Sequence, residues 1–263
     1  MRRVATAGLA AALGLLGAIG PAPQARAADP MLSELPCPAG PVRIAVVGDS
    51  LADGMWGSFF RAFARCALVE TPRVTAVSDG LAKTAPDDWL DRYDAAMPAV
   101  AGPAPVDIAV VQIGANDVTG IRIGARRASF GAEGWDELYA ERASALAAGL
   151  RERAREVFWI GLPVVGKARL EPDYAVLSAL QAKAVEAGGA VFLDIHALTR
   201  FGAEGFVMNA AVDGGRVRQL RAPDQVHFTE LGYDLVARRM ADRLRELFKE
   251  SRRDKAVGGV ALQ

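Results

Sequence analysis

Four short, nearly continuous runs of apolar residues constrain most strongly how this chain can fold. They cover residues 42–47, 106–113, 157–160 and 190–195, and each ends close to a Gly or an Asp. Runs of this kind are typical of strands that are buried on both faces, as in a parallel sheet covered by helices. A weaker run over residues 69–77 is a candidate for a further strand.

Helical patterns separate these runs. Apolar side chains recur at helical spacing after residue 56, and three longer segments follow the same period, over residues 135–155, 173–187 and 229–250. The alternation predicts an α/β fold, a three-layer α/β/α sandwich around a mostly parallel sheet of about five strands. Residues 201–223 are rich in Gly without a sustained period, which predicts a long loop or an irregular hairpin.

The length of 263 residues and the absence of internal repeats favour one large domain, which we expect over residues 28–250. Residues 251–263 are charged and then small, as in a flexible C-terminal tail. Lys plus Arg and Asp plus Glu number 31 each, so no net charge would attract nucleic acid. The composition does not predict an oligomeric state.

The N-terminus has the layout of a secretory signal peptide. Two arginines precede an apolar run over residues 4–19, and prolines and the small-residue triplet 25–27 follow it. We predict a signal peptide over residues 1–27, cleaved after Ala27; an uncleaved anchor or a buried helix is the alternative. The mature chain would carry a net charge of −3, because three arginines and no acid are removed. We expect it to be periplasmic or secreted, without stable membrane insertion.

The chain has two cysteines, Cys37 and Cys66. Cys37 precedes the first predicted strand and Cys66 lies near the end of the helix that follows it, so a βα unit would bring both to one edge of the sheet. An oxidising compartment would permit a disulfide there. Two unpaired small apolar residues are the alternative.

A serine follows the first strand at the carboxyl edge of the predicted sheet, where open α/β sheets bind ligands. This residue, Ser50, also precedes a helix, so its backbone amide is one of the unpaired donors at a helix start and can face a developing negative charge. Considered alone, Ser50 could be only a helix N-cap.

An acid and an imidazole precede the last predicted helix. Asp224 lies three residues before His227, so its carboxylate can accept a hydrogen bond from Nδ1 and leave Nε2 free to take a proton from a hydroxyl. A serine nucleophile needs such a base and the base needs an orienting acceptor. Without Ser50, a solvated loop pair would be the better interpretation.

Two further residues are candidates for stabilising an oxyanion. Asn116 follows the strand at residues 106–113 and can donate from its side-chain amide. Gly80 lacks a Cβ, so an acyl oxygen can approach its backbone N–H. Either residue alone would more often be a turn residue.

Taken together, the motifs resemble the four sequence blocks of the SGNH (GDSL) hydrolases, in the same order along the chain. They are Gly48-Asp49-Ser50-Leu51, Gly80, Gly114-x-Asn116-Asp117 and Asp224-x-x-His227. Around Gly80, little of the family pattern is present beyond the glycine. The segments at residues 78–82 and 215–221 are similar to a branch of bacterial envelope members whose substrates are poorly defined.

The resemblance implies a flavodoxin-like sandwich and an ester hydrolase that needs no metal and no other cofactor. The roles it implies are Ser50 as nucleophile, His227 as base, Asp224 as orienting acid, and Gly80 and Asn116 with the Ser50 amide as oxyanion donors. The implied substrates are short-chain esters, above all acetyl esters of an acylated saccharide in the cell envelope. An O-acyltransferase on the same scaffold and a non-catalytic module that binds a glycan or a partner remain alternatives.

Three further features have simpler interpretations. Residues 161–168 nearly fit a phosphate-binding loop, but Ala168 stands where a hydroxyl is needed and Pro163 lacks an amide. His196, beside Asp194 after a strand, could be a rival base or part of a metal site, but a structural histidine is the better interpretation. Trp56 could stack against a sugar ring or line an acyl pocket, although its spacing favours the core.

Overall fold

The computed structural model describes residues 30–99, 105–212 and 215–258, with side chains up to residue 249. The strands are β1 (Val42–Gly48), β2 (Val69–Glu70), β3 (Arg73–Thr75), β4 (Val106–Gln112), β5 (Ile121–Ile123), β6 (Arg126–Ala128), β7 (Glu156–Ile160), β8 (Val191–Leu193), β9 (Asn209–Ala211) and β10 (Val217–Gln219). The helices are α1 (Ser50–Phe63), α2 (Pro86–Ala96), α3 (Trp135–Arg153), α4 (Glu171–Ala187), α5 (Glu230–Ala237) and α6 (Ala241–Gly258).

Six strands form the central sheet, and every pairing in it is parallel. The strand order is β2, β1, β4, β7, β8, and β3 pairs with the same edge of β1 as β2 does. The weak run at residues 69–77 is thus an edge strand in two pieces, interrupted at Thr71 and Pro72, where proline has no N–H for a sheet hydrogen bond.

Helices cover both faces of the sheet, which confirms the predicted three-layer sandwich. The side chains of β1 alternate between two buried clusters: Ala45 and Val47 pack with α2, α3 and α4, whereas Ile44 and Val46 pack with α1, α5 and α6. Both faces are therefore apolar, and this is why the strands are nearly continuous apolar runs.

Three elements differ from the sequence-based expectation. Helix α2 and the β5–β6 hairpin were not predicted. The predicted helix at residues 229–250 is instead α5, a 3₁₀ turn over Arg238–Met240, and α6. Buried apolar residues continue at helical spacing on both sides of the turn, which conceals it in the sequence. Helix α6 runs to Gly258 and so includes the beginning of the segment predicted to be a flexible tail.

Cys37 and Cys66 form a disulfide with a Cα–Cα distance of 5.3 Å, at the edge of the sheet opposite Ser50. Within residues 201–223, β9 and β10 form an antiparallel hairpin, one of the two structures predicted for this segment. In the described part of the chain, no helix is long and apolar enough to cross a bilayer. The predicted signal peptide at residues 1–27 lies outside the described residues.

Candidate active site

Ser50 lies at the carboxyl edge of the sheet because the chain turns sharply between β1 and α1. Gly48 has φ +139°, and a Cβ there would lie 2.0 Å from the Gln112 backbone oxygen, so only glycine fits this turn. Asp49, not Ser50, is the N-cap of α1, and its carboxylate accepts from the Leu51 amide at 2.9 Å. The Ser50 side chain is therefore not needed to cap the helix.

The structure brings the three predicted residues of the triad together. The Oγ atom of Ser50 lies 2.7 Å from Nε2 of His227, and Nδ1 of His227 lies 2.6 Å from Oδ2 of Asp224. With Nδ1–H donating to the carboxylate, Nε2 is the acceptor for the serine hydroxyl. Ser50 and His227 are separated by 177 positions in the chain.

Asp224 remains ionised at neutral pH although it is partly buried. Desolvation alone would raise the pKa of this carboxyl, but hydrogen bonds from the Val226 and His227 amides and from the imidazole lower the pKa to about 2. An anion is thus held beside Nδ1, where it stabilises an imidazolium.

A buried arginine supports the loop that carries His227. Arg221 is fully buried and donates to the backbone oxygens of Val164 at 2.7 Å, Val226 at 2.7 Å and His227 at 3.3 Å. Its guanidinium carbon lies 4.1 Å from the ring centre of Phe228. Burial lowers the pKa of Arg221 to about 10. This role was not predicted, because its only signal in the sequence is the place of Arg221 just before the acid–imidazole motif.

The predicted oxyanion donors differ in their availability. The Ser50 amide is at the first position of α1, where no acceptor exists within the helix. Asn116 Nδ2 donates one hydrogen to the Asp79 backbone oxygen at 2.9 Å, which leaves the second hydrogen of the amide for a ligand. The Gly80 amide instead donates to Asp79 Oδ1 at 2.8 Å.

Asp79 holds this arrangement through two further contacts. Its carboxylate accepts from Thr84 Oγ1 at 2.6 Å and from Arg92 at 2.8 Å. Desolvation would raise the pKa of Asp79, but these hydrogen bonds, that of Gly80 and the charge of Arg92 lower it overall. Gly80 therefore faces an ionised side chain, an arrangement that no sequence pattern indicated.

Two buried carboxylates join the loops of the site. Asp49 Oδ2 accepts from the amides of Gly114 and Ala115 at 2.9 and 2.8 Å. Burial raises the pKa of Asp49 to about 7, against the opposing effect of its backbone hydrogen bonds. The loop after β1 is thereby tied to the loop after β4, which carries Asn116.

Asp117 ties that same loop to the one bearing Gly80. It accepts from the amides of Leu81 at 3.1 Å and Ala82 at 2.9 Å, and from the Tyr139 hydroxyl at 2.9 Å. A Cβ on Gly80 would lie 2.0 Å from Asp117 Oδ1, so the contact requires glycine. Asp49 and Asp117 both occur in the motifs, but the sequence alone did not show that their side chains accept hydrogen bonds from backbone amides of neighbouring loops.

A family model matches most of the chain. Residues 43–243 match the family model described as "Protein of unknown function (DUF459)". The chain belongs to this family. The family is SGNH-like, and the resemblance noted from the four motifs is confirmed. No curated protein matches the sequence.

Solved structures share the fold at low sequence identity. LAE5, an α/β hydrolase enzyme from the metagenome of Lake Arreo, is 16% identical with a TM-score of 0.52, covering 78% of this chain and 95% of its own. A catalytic mutant of Axe2, an acetylxylan esterase from Geobacillus stearothermophilus, is 14% identical with a TM-score of 0.51, covering 81% and 95%. These likenesses establish the fold.

The segment at residues 161–168 has the spacing of a phosphate-binding loop but not its free amides. The amide of Val164 donates to Thr199, that of Val165 to Glu171, and that of Gly166 to the Gln225 backbone oxygen. No unpaired row of N–H groups remains there for a phosphate.

His196 and Trp56 have structural contacts rather than contacts with the triad. His196 Nε2 lies 2.8 Å from Glu171 Oε1, and the imidazole that contacts Ser50 Oγ is that of His227. Trp56 donates from its indole N–H to the Thr71 backbone oxygen and stacks on Phe60, which is half exposed. Among the described residues, no group of His, Cys, Asp and Glu side chains could hold a metal ion.

Proposed function

We propose that this DUF459 protein is a serine ester hydrolase of the cell envelope or the extracellular space. The observation that carries the proposal is the hydrogen-bonded series from Ser50 Oγ to His227 Nε2 and from His227 Nδ1 to Asp224, with distances of 2.7 and 2.6 Å. Nucleophile, base and orienting acid are the groups that acyl transfer through a serine requires.

In the first half-reaction, Ser50 Oγ attacks the ester carbonyl while His227 Nε2 takes the hydroxyl proton. The carbonyl oxygen becomes an oxyanion, stabilised by the Ser50 amide and the free hydrogen of the Asn116 side chain. His227 then returns the proton to the departing alcohol oxygen, which leaves the acyl group on Ser50. Asp224 stays ionised and stabilises the imidazolium.

In the second half-reaction, a water molecule gives a proton to His227 and attacks the acyl carbonyl, releasing the acid and restoring Ser50. About a third of the His227 side chain is exposed, so water can reach the base. Hydrolysis is the proposed reaction, and transfer of the acyl group to a sugar hydroxyl is the alternative. Gly80 joins the oxyanion donors only when its amide leaves the Asp79 carboxylate.

Short-chain esters of a saccharide, acetyl esters above all, are the proposed substrates. The resemblance to SGNH hydrolases supports this assignment, and so does the shared fold with an acetylxylan esterase. The Cys37–Cys66 disulfide supports an oxidising compartment, in agreement with the predicted signal peptide.

Hydrolysis of p-nitrophenyl acetate by the mature chain and by Ser50→Ala tests the proposal. We expect measurable turnover that the substitution lowers about 1,000-fold or more, because the nucleophile is removed. Equal rates would favour a non-catalytic binding module. A series of acetyl, butyryl and octanoyl esters then measures the preferred acyl length.

The choice between hydrolysis and transfer needs a separate measurement. The mature chain is incubated with p-nitrophenyl acetate and a saccharide acceptor, and the acetyl group is traced by mass spectrometry. We expect free acetate as the main product; acetylated saccharide as the main product would make the protein an O-acyltransferase.

A further inference from the structure

A basic groove of about 680 Å³ is lined in part by residues that follow Gly80 and Asn116 in the chain. Its cationic lining residues are Lys83, Arg122, Arg127 and Arg142, and no acidic or aromatic side chain is among the residues that line it. The lining thus carries four positive charges in a chain whose predicted mature form has a net charge of −3, and Asp88, Asp117 and Glu141 lie close enough to act electrostatically on Arg142.

The walls of the groove continue the loops of the site. Lys83 lies three residues after Gly80, and Gly120 lies four residues after Asn116. Arg142, which is largely buried in α3, donates to the backbone oxygens of Leu81 and Arg122 and so fixes the two walls together. The groove therefore adjoins the two loops that carry Gly80 and Asn116.

The β5–β6 hairpin places two of the arginines directly opposite each other. Arg122 and Arg127 are register partners in adjacent antiparallel strands, where like charges are destabilising. Both are exposed, and neither has a carboxylate partner among the residues that the structure describes. By contrast, Arg126 of the same hairpin is paired with Glu141 at 2.7 Å.

We propose that this groove binds an anionic saccharide chain, one that carries carboxylate or sulfate groups next to the ester that Ser50 hydrolyses. The inference rests on the proposed function and specifies its substrate class. Paired guanidinium groups suit the oxygens of such anions, and their repulsion is relieved when the anion binds. The lining lacks the aromatic rings on which nucleic-acid bases stack, which favours a saccharide over a single-stranded nucleic acid.

Binding without turnover tests the proposal. The mature chain is titrated by calorimetry, at low and at high salt, with octagalacturonate, a heparin octasaccharide and neutral xylo-octaose, none of them acetylated. We expect salt-sensitive binding of at least one anionic ligand and at least about tenfold weaker binding of xylo-octaose. Comparison of the octagalacturonate and heparin titrations shows whether the groove prefers carboxylate or sulfate groups.

The hairpin offers a charge-matched control. Arg127→Gln and Arg126→Gln remove the same charge from neighbouring positions, but only Arg127 lines the groove. We expect Arg127→Gln to weaken binding several-fold, Arg122→Gln with Arg127→Gln to weaken it about tenfold or more, and Arg126→Gln to change it less than twofold. Circular dichroism checks that each variant is folded, and the single variants suffice if the double variant is not.

Three results would overturn the proposal: xylo-octaose bound as tightly as the anionic ligands, the same affinity for the double variant as for the unmodified chain, or tight binding of a 16-nucleotide single-stranded DNA that depends on Arg122 and Arg127. None of these measurements involves ester hydrolysis. A negative result in the binding measurements would leave the assignment of Ser50 as nucleophile unchanged. Inactivity toward p-nitrophenyl acetate would likewise not change the binding results.

Discussion

Two imidazole–carboxylate pairs lie along the carboxyl edge of the sheet. On the loop before α5, His227 Nδ1 lies 2.6 Å from Asp224 Oδ2. After β8, His196 Nε2 lies 2.8 Å from Oε1 of Glu171, the first residue of α4. The first pair leaves Nε2 pointing at the Ser50 hydroxyl. In the second, Nε2 is the atom that meets the carboxylate, and the buried Nδ1 has no partner among the described groups.

The difference shows that a carboxylate beside a histidine does not by itself make a catalytic base. Glu171 also accepts from the Val165 amide, so its pair with His196 holds a loop in place. About 16% of the His196 side chain is exposed, against 33% for His227. What distinguishes His227 is a second ring nitrogen that faces both a nucleophile and solvent.

Replacing the two histidines in parallel gives the largest contrast. We expect His227→Ala to lower kcat/KM for p-nitrophenyl acetate about 1,000-fold or more, because Ser50 loses its base. His196→Ala should retain activity within a few-fold. A loss from His196→Ala as large as that from His227→Ala would mean that the base is misassigned.

Exchanging the two carboxylates for amides should have a smaller effect. Asp224→Asn removes the anion that stabilises the imidazolium and places an amide beside Nδ1, so we expect kcat to fall by about 100-fold or more. Glu171→Gln is the matched control and should keep kcat nearly unchanged. Comparable losses in the two variants would remove the distinction between the pairs.

Arg221 ties the His227 loop to the loop that carries Val164, and its replacement should have an intermediate effect. Arg221→Met leaves the Val164, Val226 and His227 carbonyl oxygens without their donor, and we expect kcat to fall about tenfold while KM changes little. Arg221→Lys, which keeps a cation able to reach one of these oxygens, should recover part of the activity. If Arg221→Met lowers Tm but not kcat, the residue only stabilises the fold.

The smallest expected effect is on the stability contributed by the His196–Glu171 pair. We expect Glu171→Gln and His196→Ala each to lower the free energy of unfolding by about 1 kcal/mol, the usual contribution of one hydrogen-bonded contact. Urea denaturation measures this change. No loss of stability in either variant would show that the His196–Glu171 pair contributes nothing to the loop.

The sequence predicted the sandwich because strands buried on both faces have a distinctive apolar pattern, as in β1 and β4. It also predicted that His227 lies within hydrogen-bond distance of Ser50 and Asp224, since a serine nucleophile needs a base and the base needs an orienting acid. The β5–β6 hairpin was missed because its strands have three residues each and one of them is largely arginine. Helix α2 was missed because only three of its 11 residues are large and apolar, namely Trp89, Leu90 and Tyr93.

Several features of the site depend on contacts that no local pattern records. The Gly80 amide donates to the neighbouring Asp79 carboxylate because Thr84 and Arg92 hold that carboxylate in place. Arg221 reaches carbonyl oxygens on two separate loops. The bond to Val164 joins positions 57 apart in the chain, and the side-chain positions behind all of these bonds are set only once the chain is folded.

The buried acids Asp49 and Asp117 have a consequence for how this protein can diverge. Between them they accept hydrogen bonds from backbone amides of the segments after β1, β3 and β4, so a residue inserted into any of these segments would move an amide donor away from a buried carboxyl group. The opposite edge of the sheet has no such constraint from these two residues. Insertions and deletions among related proteins should therefore accumulate at that opposite edge. The spacing within each motif should stay fixed while residues elsewhere are substituted.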